Sequence, residues 1–325
     1  MADNSTRPLV SFIITFYNEP TSMLRECIES VHMLSLSAQE REIILINDGA
    51  DNDCLLALSD IKDSIIYIRQ ANRGLSEARN LGMRVATGKY IQFIDADDYL
   101  LRVQYEHCLD LVRYHDPDVV LFDFTDKKEC EHSDRVPSFL PKPQTGAEYM
   151  RQNNLKAPAW GYVFRKSVAA TLTFRPGILH EDEEFTPQLI LRCERVFDTH
   201  VKSYFYRKRS NSITHAADTA NSQKRLNDKE SIIDRLYALK DTLPPIDQPS
   251  LQRRIDQMVL DYLYDTVIDT HSVAQLNERV ARLESKGLFP PSDKKYTKKY
   301  TTFRKLMTSK VGRRLFVAAT LLSKR

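Results

Sequence analysis

Residues 9–16 (LVSFIITF) form an unbroken apolar run, the length and pattern of a strand covered on both faces. Pro20 suits the first turn of a helix, and Leu24, Cys27, Ile28 and Val31 follow at helical spacing. Further strands are expected at 42–46, 65–68, 90–94 and 119–124, with helices at 75–86 and about 103–114 between them. Gly88 is expected to close the helix at 75–86 as its C-cap. This strand–helix alternation predicts an α/β, Rossmann-like, mostly parallel sheet with helices on both faces. Ligands bind such sheets at the carboxyl ends of the strands. Polar clusters fall there: Tyr17-Asn18-Glu19 after the first strand, Asp48 after the second, and Asp95, Asp97 and Asp98 after the fourth.

Residues 126–145 are polar and proline-containing, the pattern of a loop. A helix near 146–154, a segment at 160–164 and a charged run at 180–184 continuing as a helix to 192 follow. Beyond about residue 219 the pattern turns helical, at 226–239, 251–268, 273–283 and after 301. The expected organisation is one α/β domain over 1–218, with halves 1–125 and 126–218, and a helical region over 219–325.

Composition narrows the picture little, but charge does. From Lys286 onward there are 12 Lys and Arg against one Asp, a charge of +11, so the preceding residues carry −8 of the total +3. An acidic body with a basic tail points to an anionic partner for the tail. No apolar run approaches the roughly 18–20 residues of a membrane span, and the first residues show no basic flank before an apolar stretch. A cytoplasmic protein is therefore expected, peripheral on the inner face of the cell membrane if the tail binds there. The five cysteines form no CxxC pair, which suits reduced, packed thiols rather than a zinc site.

Asp95-Ala96-Asp97-Asp98 places three carboxylates within four residues. Such groups repel one another and lose hydration on burial unless a cation sits among them. A hard divalent ion, Mn²⁺ or Mg²⁺, prefers this all-oxygen setting and bridges carboxylate to phosphate oxygens. A solvated turn or helix cap accounts for the same residues without a ligand.

Four blocks together resemble family 2 glycosyltransferases of the GT-A fold. They are VSFIITFYN from Val10, ILINDGAD from Ile44, the long stretch from Asn72-Arg73-Gly74 through Arg79 to Asp95-Ala96-Asp97-Asp98, and Glu181-Asp182-Glu183-Glu184-Phe185. The resemblance covers about residues 8–215. Thr15, Asn47 and Ala50 depart from the Pro, Asp and Ser usual in the family, around the expected nucleobase.

The resemblance implies an inverting hexosyltransferase that moves a sugar from a nucleotide diphosphate donor, UDP by preference, to an acceptor hydroxyl in bacterial surface polysaccharide or lipopolysaccharide assembly. Thr15, Phe16 and Tyr17 would hold the base, Tyr17 by stacking, with Asp48 accepting from its edge and Glu19 near the ribose. Asp95, Ala96 and Asp97 would complete the nucleotide site. Asp97 and Asp98 would divide ribose and metal between them, and His215 would join the metal. Arg79 presents a fork of donors suited to carboxylate or phosphate, with a salt bridge to the acidic cluster as the structural alternative. Asp182 would be the general base, its proton affinity raised by Glu181 and Glu183. Without the resemblance, a negatively charged first helical turn explains the same run. Trp160, the only tryptophan, would form an acceptor wall or pack in the core, and Arg209 would counter diphosphate charge.

The expected partners are a nucleotide-sugar donor, a saccharide or lipid-linked acceptor, and an anionic membrane met by the tail at 294–325; no nucleic acid is expected. The tail interleaves Lys294, Lys298, Lys305, Lys310, Arg313 and Arg314 with Phe303, Leu306, Val311, Leu315 and Leu322. The competing reading is a non-catalytic sugar-nucleotide-binding or scaffold protein of the same fold. A dehydrogenase is disfavoured because no GxGxxG follows the first strand.

Overall fold

A computed structural model describes residues 7–52, 54–127, 139–208 and 219–322. The described residues form two compact units. The first comprises residues up to 146 together with 156–212, and the second comprises 147–155 with 213 onward.

The first unit is built on one eight-stranded sheet. Its elements in chain order are β1 (Val10–Phe16), α1 (Thr21–His32), β2 (Arg41–Asn47), the single turn α2 (Cys54–Ala57), β3 (Ile66–Arg69) and α3 (Leu75–Val85). Then follow β4 (Tyr90–Asp95), β5 (Tyr99–Leu100), α4 (Arg102–Tyr114) and β6 (Val119–Thr125); α5 (Gly146–Gln152) comes next in the chain but belongs to the second unit from Ala147 on. β7 (Tyr162–Arg165), α6 (Asp182–Leu191) and β8 (Val196–Phe205) complete the first unit. The strand order is β3-β2-β1-β4-β7-β6-β8-β5. β1 lies between β2 and β4, and these strands with β3 are parallel, as the alternating pattern predicts. The sheet is mixed beyond β4. β7 runs antiparallel between β4 and β6, and β5 runs antiparallel to β8.

Every residue of β1 is buried, because helices cover both faces. Phe12, Ile14 and Phe16 join Leu24, Cys27 and Ile28 of α1 and Tyr105, Cys108 and Val112 of α4 in one cluster. Ile13 points to the other face, where α3 packs so closely that a Cβ on Gly82 would stand 2.3 Å from an Ile13 methyl. Gly88 corrects the sequence expectation. Helix α3 ends at Val85 with Ala86 as its cap, and Gly88 plays no capping part. A Cβ there would sit 2.5 Å from Ser11 Oγ, while the Gly88 N–H donates to that oxygen at 2.9 Å. Gly88 is there for close approach to β1, not for a left-handed turn.

The second unit holds α7 (Thr219–Lys240), α8 (Gln248–Thr270), α9 (Val273–Ser285), α10 (Lys298–Thr308) and α11 (Lys310–Leu322). Residues 147–155, which the pattern groups with the α/β domain, cluster with these helices instead. Ser250 Oγ of α8 donates to Ala147 O at 2.8 Å, Arg253 bonds Arg151 O and Asn154, and Arg254 donates to Leu155 O at 3.1 Å. The tail is helical from Lys298, three residues before the sequence expectation of 301, because Thr297 caps it by accepting from Tyr300 N at 3.0 Å. Ser309 is extended and separates α10 from α11.

Candidate active site at the carboxyl ends of the strands

β1, β2 and β4 end side by side, with Thr15 registered between Ile46 and Asp95. After β1 the chain reverses through Asn18 in the left-handed region (φ 61). The Asn18 side chain donates to Asp51 at 3.1 Å and accepts from the Asp51 N–H at 2.8 Å. Glu19 accepts the Tyr17 N–H at 2.6 Å, so it braces the turn that carries Tyr17. Tyr17 is 46% exposed and offers a ring for stacking. Phe16 faces the core, and its carbonyl accepts from Asp48 N at 2.9 Å.

Asp48 is buried and already engaged. One carboxylate oxygen accepts from Gln70 Nε2 at 2.7 Å and Arg73 N at 2.9 Å, and the other from Gly74 N at 2.8 Å. A carboxylate has about four acceptor positions, so three are taken. Asp48 thus ties the end of β2 to the start of α3 and keeps at most one position for a nucleobase. Asn47 also has a local task. Its carbonyl accepts from Ala50 N at 2.8 Å and its amide donates to Tyr67 OH at 2.9 Å.

The acidic turn separates into three environments. Asp95 accepts from the Arg79 guanidinium at 3.0 Å. Ala96 is buried, and Asp97 is half-buried in the turn. Asp98 is 1% exposed, accepting from Tyr204 OH at 2.9 Å and Arg207 N at 2.7 Å. Tyr204 OH also accepts from Asp95 N at 3.1 Å, so one phenol spans the turn. Burial, and then the charges of Asp95 and Asp97, push the Asp98 carboxyl up to about 8 against the pull of its two donors. Sequence reading missed Tyr204. In β8 a left-handed His200 (φ 53) breaks the two-residue alternation that would mark the strand.

Arg79 is the hub. It is 3% exposed and reaches Asp95 at 3.0 Å with one terminal nitrogen and Glu181 at 2.6 Å with the other. Its guanidinium lies 5.8 Å from the Phe93 ring and 5.5 Å from Phe174. Burial opposes its charge, but Asp95, Glu181 and Asp182 together raise its proton affinity above the usual value. Glu181 stands at the N-terminus of α6, and Asp182 is that helix's first residue, half-buried. The guanidinium therefore joins the acidic turn to the start of the helix carrying Asp182.

Trp160 follows the packing alternative of its two readings. It is 8% exposed and stacks on Tyr204 at 4.4 Å and 10°, which leaves little ring for a sugar. The neighbouring Phe124, in edge contact with Trp160, is 42% exposed and takes the outer position. Arg209 and His215 lie outside the described residues.

Among the described residues, no three Asp, Glu, His or Cys side chains converge on a metal site. The acidic turn nonetheless suits a hard divalent ion, because it sets the half-buried carboxylates of Asp95 and Asp97 on one turn beside buried Asp98. Mg²⁺ and Mn²⁺ that arrive with a diphosphate need only one or two protein carboxylates. Asp97, with Asp95 beside it, fits that need; both Asp98 oxygens are turned to Tyr204 and Arg207.

A mixed sheet of this order, with carboxylates at its strand ends, defines a GT-A type α/β protein. Residues 11–172 match the sequence profile of glycosyl transferase family 2, and the chain belongs to that family. It is 33% identical over 222 residues to the uncharacterized glycosyltransferase EpsJ of Bacillus subtilis, covering 64% of this chain and 63% of that one. It is 30% identical over 226 residues to the uncharacterized glycosyltransferase YibD of Escherichia coli, covering 65% and 64%. The chain thus spans a little under two thirds of these relatives' length. Among solved structures, S. aureus TarS 1-349 in complex with UDP-GlcNAc shares the fold at TM-score 0.55 and 14% identity, over 91% of this chain and 90% of that fragment. The Pyrobaculum calidifontis mannosyltransferase in complex with GDP-Man and Mn²⁺ does so at 0.58 and 14%, over 99% and 90%. No helix among the described residues is long and apolar enough to cross a membrane.

Proposed function

We propose that this chain is an inverting glycosyltransferase that takes a UDP-sugar and a divalent ion, and that it works in surface polysaccharide or lipopolysaccharide assembly. The observation that carries the reading is the Arg79 bridge from Asp95 to Glu181, which sets the acidic turn beside Asp182. Family membership supports it, as do fold neighbours described with UDP-GlcNAc and with GDP-Man and Mn²⁺.

In this reading Tyr17 stacks on the base and the last acceptor position of Asp48 meets its edge. Asp95 and Asp97 take the ribose and the ion. The bound ion supplies Lewis-acid charge to the departing diphosphate. Asp182 accepts the proton of the acceptor hydroxyl as its oxygen attacks the anomeric carbon; the bond to the diphosphate breaks on the opposite face, and the configuration inverts. Arg79 fixes the distance between these two sets of residues. The acceptor is a saccharide, lipid-linked or free, and the protein works peripherally on the inner face of the cell membrane.

Calorimetric titration with UDP and GDP, each with and without Mn²⁺, tests the donor site. UDP binding that needs the ion and is lost in Asp97→Ala is expected. Absence of binding under all four conditions would leave only the fold and favour a scaffold role. Asp182→Asn is expected to keep UDP binding and lose transfer by on the order of 10²-fold or more. Unchanged transfer would remove Asp182 from the chemistry.

A further inference from the structure

We infer that the outer face of α11 is the surface by which this protein docks on an anionic lipid bilayer. Val311, Leu315, Ala318 and Leu322 recur at steps of four, three and four residues, which places them on one helix face. Val311 is 65% exposed, Leu315 62% and Leu322 70%, with Leu321 beside them at 50%. An apolar stripe this exposed on a helix end is uncommon on a surface meant only for water.

The inner face is fixed by packing. Gly312, Arg313 and Val317 are buried, and the Phe316 ring stands 5.1 Å from Phe303 of α10 and 6.0 Å from Tyr264 of α8. These contacts set the rotation of α11 and turn the stripe outward.

The cations sort by the same packing. Arg313 turns inward, donating to Asn277 at 2.8 Å and Met307 O at 2.6 Å. Arg304 donates to Pro291 O at 2.6 Å. Lys298, Lys305, Lys310 and Arg314 remain exposed, and none of the four has an ion-pair partner among the described residues. On α7 and at the end of α9, by contrast, several cations are matched: Lys286 with Glu230 and Asp234, Arg225 with Asp269, Lys229 with Asp265. Residues 294–325 contain no Asp or Glu at all. An apolar stripe edged by unmatched cations is complementary to acyl chains beneath anionic headgroups. A second copy of the same face would bring like charges together.

This docking surface rests on the peripheral-membrane part of the function proposed above and is independent of the donor site. The test is flotation of the full chain with vesicles of phosphatidylcholine, with and without phosphatidylglycerol, alongside UDP titration. Flotation with the anionic vesicles only is expected. Val311→Glu/Leu315→Glu/Leu322→Glu is expected to lower it by on the order of tenfold or more. Lys310→Gln/Arg314→Gln is expected to weaken it and flatten its salt dependence. These residues are exposed, so far-ultraviolet dichroism and UDP affinity should be unchanged in both variants. Equal flotation of the triple variant would overturn the assignment to α11 while sparing membrane attachment. No flotation of the unaltered chain would overturn both. Self-association in solution that the triple variant abolishes would give the face to a second copy instead.

Discussion

Arg79 concentrates the residue-scale energetics. A buried guanidinium with two carboxylate partners contributes mainly through what its loss leaves behind. Arg79→Met would strand Glu181, which is 6% exposed, and is expected to cost about 3–5 kcal/mol in urea unfolding. Arg79→Lys cannot span both carboxylates with a single ammonium and is expected to recover part of the stability but not UDP affinity. Asp98 allows a pH test with a definite sign. Its folded carboxyl holds a proton to about 8, against 3.8 as the ordinary value. The folded state therefore binds more protons than the unfolded chain between these values, and stability falls as pH rises through that window. Asp98→Asn removes the titration while keeping an acceptor for Arg207 N. Its unfolding free energy is expected to be less dependent on pH from about 4 to 8, by an amount on the order of a few kcal/mol. Identical pH profiles for the two proteins would contradict the assigned burial cost.

At the scale of elements, the parallel strands were legible because each is a short apolar run ending in polar residues. The strands that make the sheet mixed were less so. β7 overlaps the segment marked at 160–164, but nothing in four residues sets its direction. β8 hides behind alternating charge and a left-handed His200. The candidate site followed the same division. Carboxylates at strand ends could be read from sequence, whereas Tyr204, which holds Asp98, comes from a strand that could not. Asp48 and Trp160 were found as residues but not as environments, because hydrogen-bond occupancy and burial depend on chain far away in sequence. Gly88 carries the prediction for this scale. Gly88→Ala would press a methyl on Ser11 and is expected to separate the start of β4 from β1 locally. A loss of about 1–3 kcal/mol in thermal or urea unfolding is expected. A neutral result would mean that Ser11 can give way.

For the whole molecule, the second unit draws on two separate stretches of the chain. Leu155, Tyr149 and Met150 are buried, and Arg253 and Arg254 of α8 bond the carbonyls of Arg151 and Leu155. A chain ending at residue 218 is therefore expected to be less stable and more prone to aggregate than one reaching residue 322, measured by thermal unfolding and light scattering. The opposed charges of body and tail were visible in composition. Which cations face outward was not, because Arg304 and Arg313 differ from their neighbours only in the contacts they make.

The placement of residues 147–155 also bears on how the protein is made. Synthesis delivers this segment before β7, α6 and β8, whereas its partners on α8 come later still. The nascent chain must carry the carbonyls of Ala147, Arg151 and Leu155 without their partners on α8 while the sheet is completed around β7. Protection of this stretch from solvent exchange should arrive late, after that of the central strands, and the ribosome-bound intermediate should present it as a binding site for chaperones.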